Sequence, residues 1–392
     1  MKTVVLTLVL ALHAFPGHAA DVQTELAHCV TGSPSQLWAP EQKNINTTVD
    51  HVRWQIRAHK LDEALALAQQ WTTSNPGSAD LQAVLGEVYY QMGKMSLAIP
   101  AFNRALELDA CNAHAHYYSW RLNALAGKAA EARQQLFFAH QLLPQDPQIL
   151  RSWEAVQRAI EMESALGAPQ VTSLKPLRDH FFAKTLDCSG IPIRSAAIVD
   201  SDALVLACGK VRVMLQNLPA ARRSLITAGA EFHIIGEFQG TSDLPENAAY
   251  RSSTYVDAEG HGTDMNARTR GVGGLKSSCG EENLLGLPGD RYGDGSDTCT
   301  HEFAHDLMDH GLNGQQHAAI EKQYHNAISR GLWKGSYAAV NAQEYWAELS
   351  MWYFGSHGNR VSTALMLAGP DALRMYDPAG FALLESIYGG HT

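Results

Sequence analysis

Three shortages narrow the field before any motif is read. Past the first dozen residues the chain has no apolar run long enough to cross a membrane. It has no surplus of basic charge, with 30 Lys and Arg against 40 Asp and Glu and a formal net charge of −10. Nucleic acid, which demands a cationic footprint, is therefore excluded as an expected partner. Cysteine is also sparse, with six in 392 residues, too few for a small disulfide-built scaffold.

What the amino terminus does have is Lys2 followed by Val4–Leu12, apolar except for Thr7, and then the small-residue stretch "GHAA" ending at Ala20. Nine residues of helix reach only about 14 Å, against about 30 Å of hydrocarbon. Residues 1–20 therefore read as a cleaved signal peptide, and the expected location is secreted or periplasmic. In that oxidising setting cysteines tend to pair, although six allow fifteen connectivities. Short separations favour Cys188 with Cys208 and Cys279 with Cys299, leaving Cys29 for Cys111. Free buried thiols are the competing reading.

The first half repeats. "HKLDEALA" at His59, "GKMSLAIP" at Gly93 and "GKAAEARQ" at Gly127 stand 34 residues apart (93 − 59 and 127 − 93), with Ala64, Ala98 and Ala132 in the same register. Small residues at helix crossings, glycine turns and this period resemble the tetratricopeptide repeat. An all-α array over residues 48–164 is expected, a binding surface for a protein partner rather than a source of chemistry. Trp54, Tyr89, Tyr90, Tyr117, Tyr118 and Trp120 serve it either as core or as surface lining.

A Pro/Ser/Thr-bearing stretch around Gly167–Pro176 reads as a linker, 165–178. The remainder, 179–392, alternates strand-like and helix-like runs and is expected to be α+β. "SAAIVDS" (195–201) and "EFHIIGEF" (231–238) are predicted strands, Asp202–Asn217 a helix, and "ARTRGVGGL" (267–275) a glycine-bearing edge strand. Glycine-rich loops and two helices complete it.

One of those helices carries the chemistry. "HEFAH" sets His301 and His305 four residues apart, on one helical face, with Glu302 beside them. Two imidazoles do not complete a catalytic zinc site, which usually has three protein ligands and an open position. The metzincin pattern fails, because Met308 and Gly311 stand where its glycine and third histidine belong. "NAQEYWAELSMWYFG" offers Glu344 and Glu348, one turn apart among large apolar residues. A buried carboxylate needs a partner or a metal, which makes Glu344 the candidate third ligand. Glutamates facing water are the alternative.

Taken together, "HEFAH", a tyrosine, and "EYWAE" starting seven residues after it (344 − 337) resemble the lethal-factor-type zinc metallopeptidases, the group of anthrax lethal factor and the Pro-Pro endopeptidases. "RGVGG" and "EENLLGLPGDRY" resemble secreted members of that group. The resemblance covers about Cys188 to Gly355 and implies a zincin-type domain. It implies one zinc per chain on His301, His305 and Glu344, Glu302 as general base, Tyr337 as oxyanion donor and Glu348 as support behind the ligands. Independently of the resemblance, the glycines of "ARTRGVGGL" permit close approach, so Arg270, Gly271, Val272, Gly273 and Gly274 would offer backbone pairing to an extended substrate; a glycine-rich turn is the competing reading.

The expected protein is thus multidomain: a tetratricopeptide-repeat array followed by an α+β zinc endopeptidase acting on a protein or peptide. A catalytically inactive secreted scaffold and a zinc hydrolase of a non-peptide amide are the competing readings.

Overall fold

The computed structural model describes residues 29, 40–165, 171–173, 181–292, 295–356 and 369–389. The expected signal peptide (1–20) and most of the expected linker (165–178) lie outside them. The chain separates into two compact units, Met1–Trp153 and Glu154–Thr392.

The first unit is a run of helices: α1 (Pro40–Arg57), α2 (Leu61–Ser74), α3 (Ala79–Gln91), α4 (Met95–Leu108), α5 (Ala113–Leu125), α6 (Ala129–Leu142) and the start of α7 (Pro147–Ala165). Starts at Leu61, Met95 and Ala129, and again at Ala79, Ala113 and Pro147, keep the spacing of 34 residues (95 − 61 = 113 − 79). Turns this short force neighbouring helices to run antiparallel and pack in sequence. His59, Gly93 and Gly127 hold one turn position, each in the left-handed region at φ 56, 70 and 74. Glycine adopts that conformation freely, whereas His59 does so under strain. Ala64, Ala98 and Ala132 are buried where helices cross. At Gly86 an added Cβ would come within 2.7 Å of the Phe102 ring, so α3 and α4 approach too closely for a side chain. Of the six aromatics, Tyr90, Tyr117, Tyr118 and Trp120 are core, whereas Trp54 is 52% exposed. Cys29 is bonded to Cys111, which pins the chain before α1 to the turn before α5.

The second unit is built on a mixed six-stranded sheet in the order β1-β2-β3-β4-β8-β7. Its strands are β1 (Thr172–Ser173), β2 (Lys184–Cys188), β3 (Ile191–Ser195), β4 (Glu231–Ile235), β7 (Gly271–Val272) and β8 (Lys276–Gly280). β5 (Tyr255–Val256) and β6 (Gly262–Thr263) form a separate hairpin. β3, β4 and β8 are parallel. The crossover from β3 to β4 runs through α8 (Ser201–Leu215) and α9 (Pro219–Ala228), as parallel pairing requires. β4 lies in the middle, with Phe232, Ile234 and Ile235 fully buried.

The strand expected at "SAAIVDS" falls earlier: β3 ends at Ser195, and Asp200 instead caps α8 by accepting from the Asp202 N–H at 3.0 Å. The reason is the tight turn at Ser189 and Gly190 (φ 57 and 95), which sets the β2–β3 hairpin upstream. "EFHIIGEF" forms β4 only as far as Ile235.

After β4 the chain passes through the hairpin and the short α10 (Met265–Arg268), then returns as β7 antiparallel to β8, at one end of the sheet. There follow α11 (Glu281–Leu285), α12 (Thr298–Asp306) with a π-turn to Gly311, α13 (Gly314–Ser329), α14 (Ala342–Tyr353), α15 (Pro370–Tyr376) and α16 (Pro378–Tyr388). That is more helix than the two anticipated. The additional helices anchor α14: Asp377 accepts hydrogen bonds from Tyr345 Oη at 2.6 Å and Trp333 Nε1 at 2.9 Å. No helix among the described residues is long and apolar enough to cross a membrane.

Candidate metal centre

α12 starts where it does because Asp297 caps it, accepting from the Thr300 N–H at 3.1 Å and its hydroxyl at 2.6 Å. Lys210, on α8, pairs with the same carboxylate. The Cys279–Cys299 disulfide ties the first turn of α12 to β8, and Cys188–Cys208 ties β2 to α8. Behind the helix, Phe303 packs on Phe232 of β4 with ring centroids 5.8 Å apart. α14 is capped by Asn341, which accepts from the Glu344 N–H at 2.8 Å. It is locked to α12 by Trp346 Nε1 donating to the Ala304 carbonyl at 2.9 Å. Two rigid helices therefore aim their side chains at one point.

At that point His301 Nε2 and His305 Nε2 lie 3.1 Å apart. Glu344 Oε2 is 3.1 Å from the first and 3.4 Å from the second. Ligands about 2.0–2.1 Å from a tetrahedral ion are separated by about 3.3–3.4 Å, so the triangle has the size of one face of such a site. Glu344 Oε2 is buried and finds no well-directed hydrogen bond within the protein. Unpartnered buried oxygens are rare and call for a cation. His301, His305 and Glu344 thus form a candidate metal-binding group.

The electrostatics agree in sign. Burial disfavours the Glu344 carboxylate, but the adjoining His301 and His305 imidazoles outweigh it and hold its pKa down at about 2. Burial likewise opposes a charged His301, yet Glu344 and Glu348 raise its pKa well above the usual histidine value. The pocket favours positive charge at its centre. Glu348 is 3% exposed, with Oε1 3.4 Å from His301 Nδ1. It stands behind the imidazole, on the side that orients a ligand histidine.

The group opens into a cleft of about 430 Å³ lined in part by Gly271–Gly274, Tyr255, Arg268, Glu302 and Tyr337. Burial pushes the Glu302 carboxyl up, with His301 and His305 opposing, which suits a proton acceptor. The Tyr337 phenol is also raised, first by burial and then by Glu344, so it stays protonated and able to donate. Its ring centroid is 6.2 Å from that of His301.

Gly271 and Gly273 are required by proximity. A Cβ on Gly271 would come within 2.8 Å of Glu302 Cγ, and one on Gly273 within 2.6 Å of His305 Cβ. The edge strand is pressed against the helix that carries His301 and His305. Arg270 does not join the cleft. It is 6% exposed and forms a two-pronged ion pair with Glu282, at 2.5 and 2.8 Å, while donating to the Gly236 and Gln239 carbonyls. Its side chain holds β7 in place, while Gly271, Val272, Gly273 and Gly274 line the cleft.

Arg268, Tyr255 and Tyr292 also line the cleft, and no sequence motif marks them for it. Nor does one mark Trp333, buried with φ 62 just before Tyr337. An arginine two residues before Arg270 was the available signal, but the face each one takes is a tertiary matter. No family model matches this chain, and no curated protein matches it.

Proposed function

We propose that the second unit is a zinc-dependent endopeptidase of zincin type. The observation that carries the proposal is the convergence of His301, His305 and Glu344 within 3.1–3.4 Å, in a cleft that also receives Glu302, Tyr337 and an edge strand. Two imidazoles and one carboxylate form the donor set zinc prefers in hydrolases, with a coordination position left for water.

Zinc held by His301, His305 and Glu344 would supply an acidified water molecule and polarise the scissile carbonyl. The chain's own groups do the rest. β7 receives the substrate backbone as a further strand, since among the described residues its outer edge bears no strand partner. Glu302 takes a proton from the attacking water and delivers it to the departing amine nitrogen as the C–N bond breaks. Tyr337 donates its hydroxyl hydrogen to the carbonyl oxygen as that oxygen gains charge. Glu348 keeps His301 in the orientation that presents Nε2 to the metal.

For the first unit, we read the register of alternating helices with left-handed turns at His59, Gly93 and Gly127 as a tetratricopeptide array that binds a protein partner or substrate. Three disulfides fit a protein of an oxidising compartment, and secretion is part of the proposal.

A peptide library derived from a whole proteome, digested with the purified protein, tests the assignment. Cleavage that stops on chelation and returns with zinc is expected. A zinc-loaded protein that cleaves no peptide overturns it in favour of a binding scaffold, and cleavage confined to small non-peptide amides overturns it in favour of the other hydrolase.

A further inference from the structure

Tyr337 sits at the start of a 3-10 turn, Tyr337–Ala339, and among the described residues no hydrogen bond holds its hydroxyl. An oxyanion donor with a free phenol needs something to fix the ring. The backbone supplies part of this, through Trp333: its N–H donates to Tyr376 Oη at 2.9 Å and its indole to Asp377. Three residues of chain, including Gly335 at φ 78, still separate that anchor from Tyr337.

A further contact to the ring comes from Arg268. The Arg268 guanidinium carbon lies 5.8 Å from the Tyr337 ring centroid, within cation–π range. Arg268 is itself held. Its Nε donates to Asp257 Oδ2 at 3.0 Å, and Nη2 lies 3.7 Å from Glu259 Oε2. Asp257 is 8% exposed, and its other oxygen accepts from the backbone N–H groups of Glu259 and His261, at 3.1 and 2.8 Å. A planar guanidinium locked on one edge by a rigid carboxylate offers its face to an aromatic ring in one orientation.

We propose that Arg268, braced by Asp257, is a positioning residue that holds the Tyr337 ring so that its hydroxyl meets the reacting carbonyl. The proposal rests on the peptidase reading above and adds to it a connection from the β5–β6 hairpin to the oxyanion donor. Arg268 touches neither the substrate carbonyl nor the metal in this account and acts through Tyr337 alone.

The test is a double-mutant cycle in the full chain with zinc bound. Arg268→Ala is expected to lower kcat about ten- to a hundredfold, the usual cost of misplacing a catalytic group, with KM and zinc stoichiometry nearly unchanged. Arg268→Lys, which keeps charge and bulk but loses the planar face, should fall between wild type and Arg268→Ala, as should Asp257→Asn. In a Tyr337→Phe background, Arg268→Ala should cost nothing further. A second readout needs no turnover: with 3-fluorotyrosine at position 337 in zinc-free protein, Arg268→Ala should shift and broaden the fluorine resonance. A full additional loss from Arg268→Ala on top of Tyr337→Phe would assign Arg268 to the substrate and overturn the proposal. So would an inactive Tyr337→Phe beside a normal Arg268→Ala. A fully active Tyr337→Phe would instead bring down the reading on which the proposal rests.

Discussion

Gly273 offers a quantitative test of how the cleft is assembled. A Cβ at this position would lie 2.6 Å from His305 Cβ and 2.9 Å from its Cγ and Cδ2. Carbon atoms prefer about 3.5–4.0 Å, so the overlap is about 1 Å. It falls at the root of a side chain on a packed helix, where no flexible end can give way. Either β7 or the His305 imidazole must move by about that amount. A ligand misplaced by about 1 Å is expected to cost about 10–100-fold in metal affinity, and turnover by a comparable factor. Gly273→Ala should therefore fold, bind zinc weakly and recover part of its activity in excess zinc. Gly271→Ala should behave differently, because its Cβ would meet Glu302 Cγ and Oε1 at 2.8 and 2.9 Å and the Ser278 carbonyl of β8 at 2.8 Å: zinc stays, turnover and stability fall, and excess zinc does not help. Gly274→Ala is the control, with φ +113 and nothing within 4 Å of its Cβ; backbone strain of about 1 kcal/mol should lower stability and leave zinc affinity alone. Competition against a zinc-sensitive dye, run beside peptide turnover, reads all three. Wild-type zinc affinity in Gly273→Ala would refute the claim that the edge strand presses on the ligand helix.

His59→Gly should raise the stability of the helical unit by about 1 kcal/mol, a few degrees in Tm, since it relieves a left-handed histidine at the position Gly93 and Gly127 occupy; an unchanged melting curve counts against that strain. His233 is fully buried between Glu246 at 2.5 Å and Glu231 at 3.0 Å. Burial lowers its pKa, but the two carboxylates outweigh burial and raise it. Its contribution is then complete below about pH 6.5 and lost as pH rises through the folded-state value, so urea midpoints should fall with rising pH and His233→Gln should flatten the trend. Asp377→Ala removes the carboxylate that Trp333, Tyr345 and Gly380 share. A loss of about 3–5 kcal/mol is expected from calorimetry or denaturant titration, and a loss below about 1 kcal/mol would show that this hub does not anchor α14.

Much of the site was readable because its parts are local. His301 and His305 share a helical face by spacing alone, and Glu344 stood out as an acid among Tyr345, Trp346 and Leu349, all now buried. The repeat register was equally local, since each copy carries its own turn and crossing alanine. What escaped depends on tertiary geometry. Arg268 and Arg270 lie two residues apart, yet one enters the cleft and the other is buried against Glu282, a division decided by how β7 docks on β8. The displaced strand at "SAAIVDS" follows from the left-handed turn at Ser189, a non-glycine residue that gave no sign of it. The turn before Tyr337 is held by the contacts of Trp333 with Tyr376 and Asp377, which come from helices distant in sequence and leave no local pattern.

The central claim is that His301, His305 and Glu344 hold a zinc ion which Glu302 uses without ligating it. Zinc content by elemental analysis, determined with peptide turnover on the same preparations of wild type, Glu344→Ala and Glu302→Gln, addresses it directly. The account predicts one zinc per chain and cleavage in wild type, little zinc in Glu344→Ala, and full zinc without cleavage in Glu302→Gln. Full zinc in Glu344→Ala, or undiminished cleavage by Glu302→Gln, would contradict it.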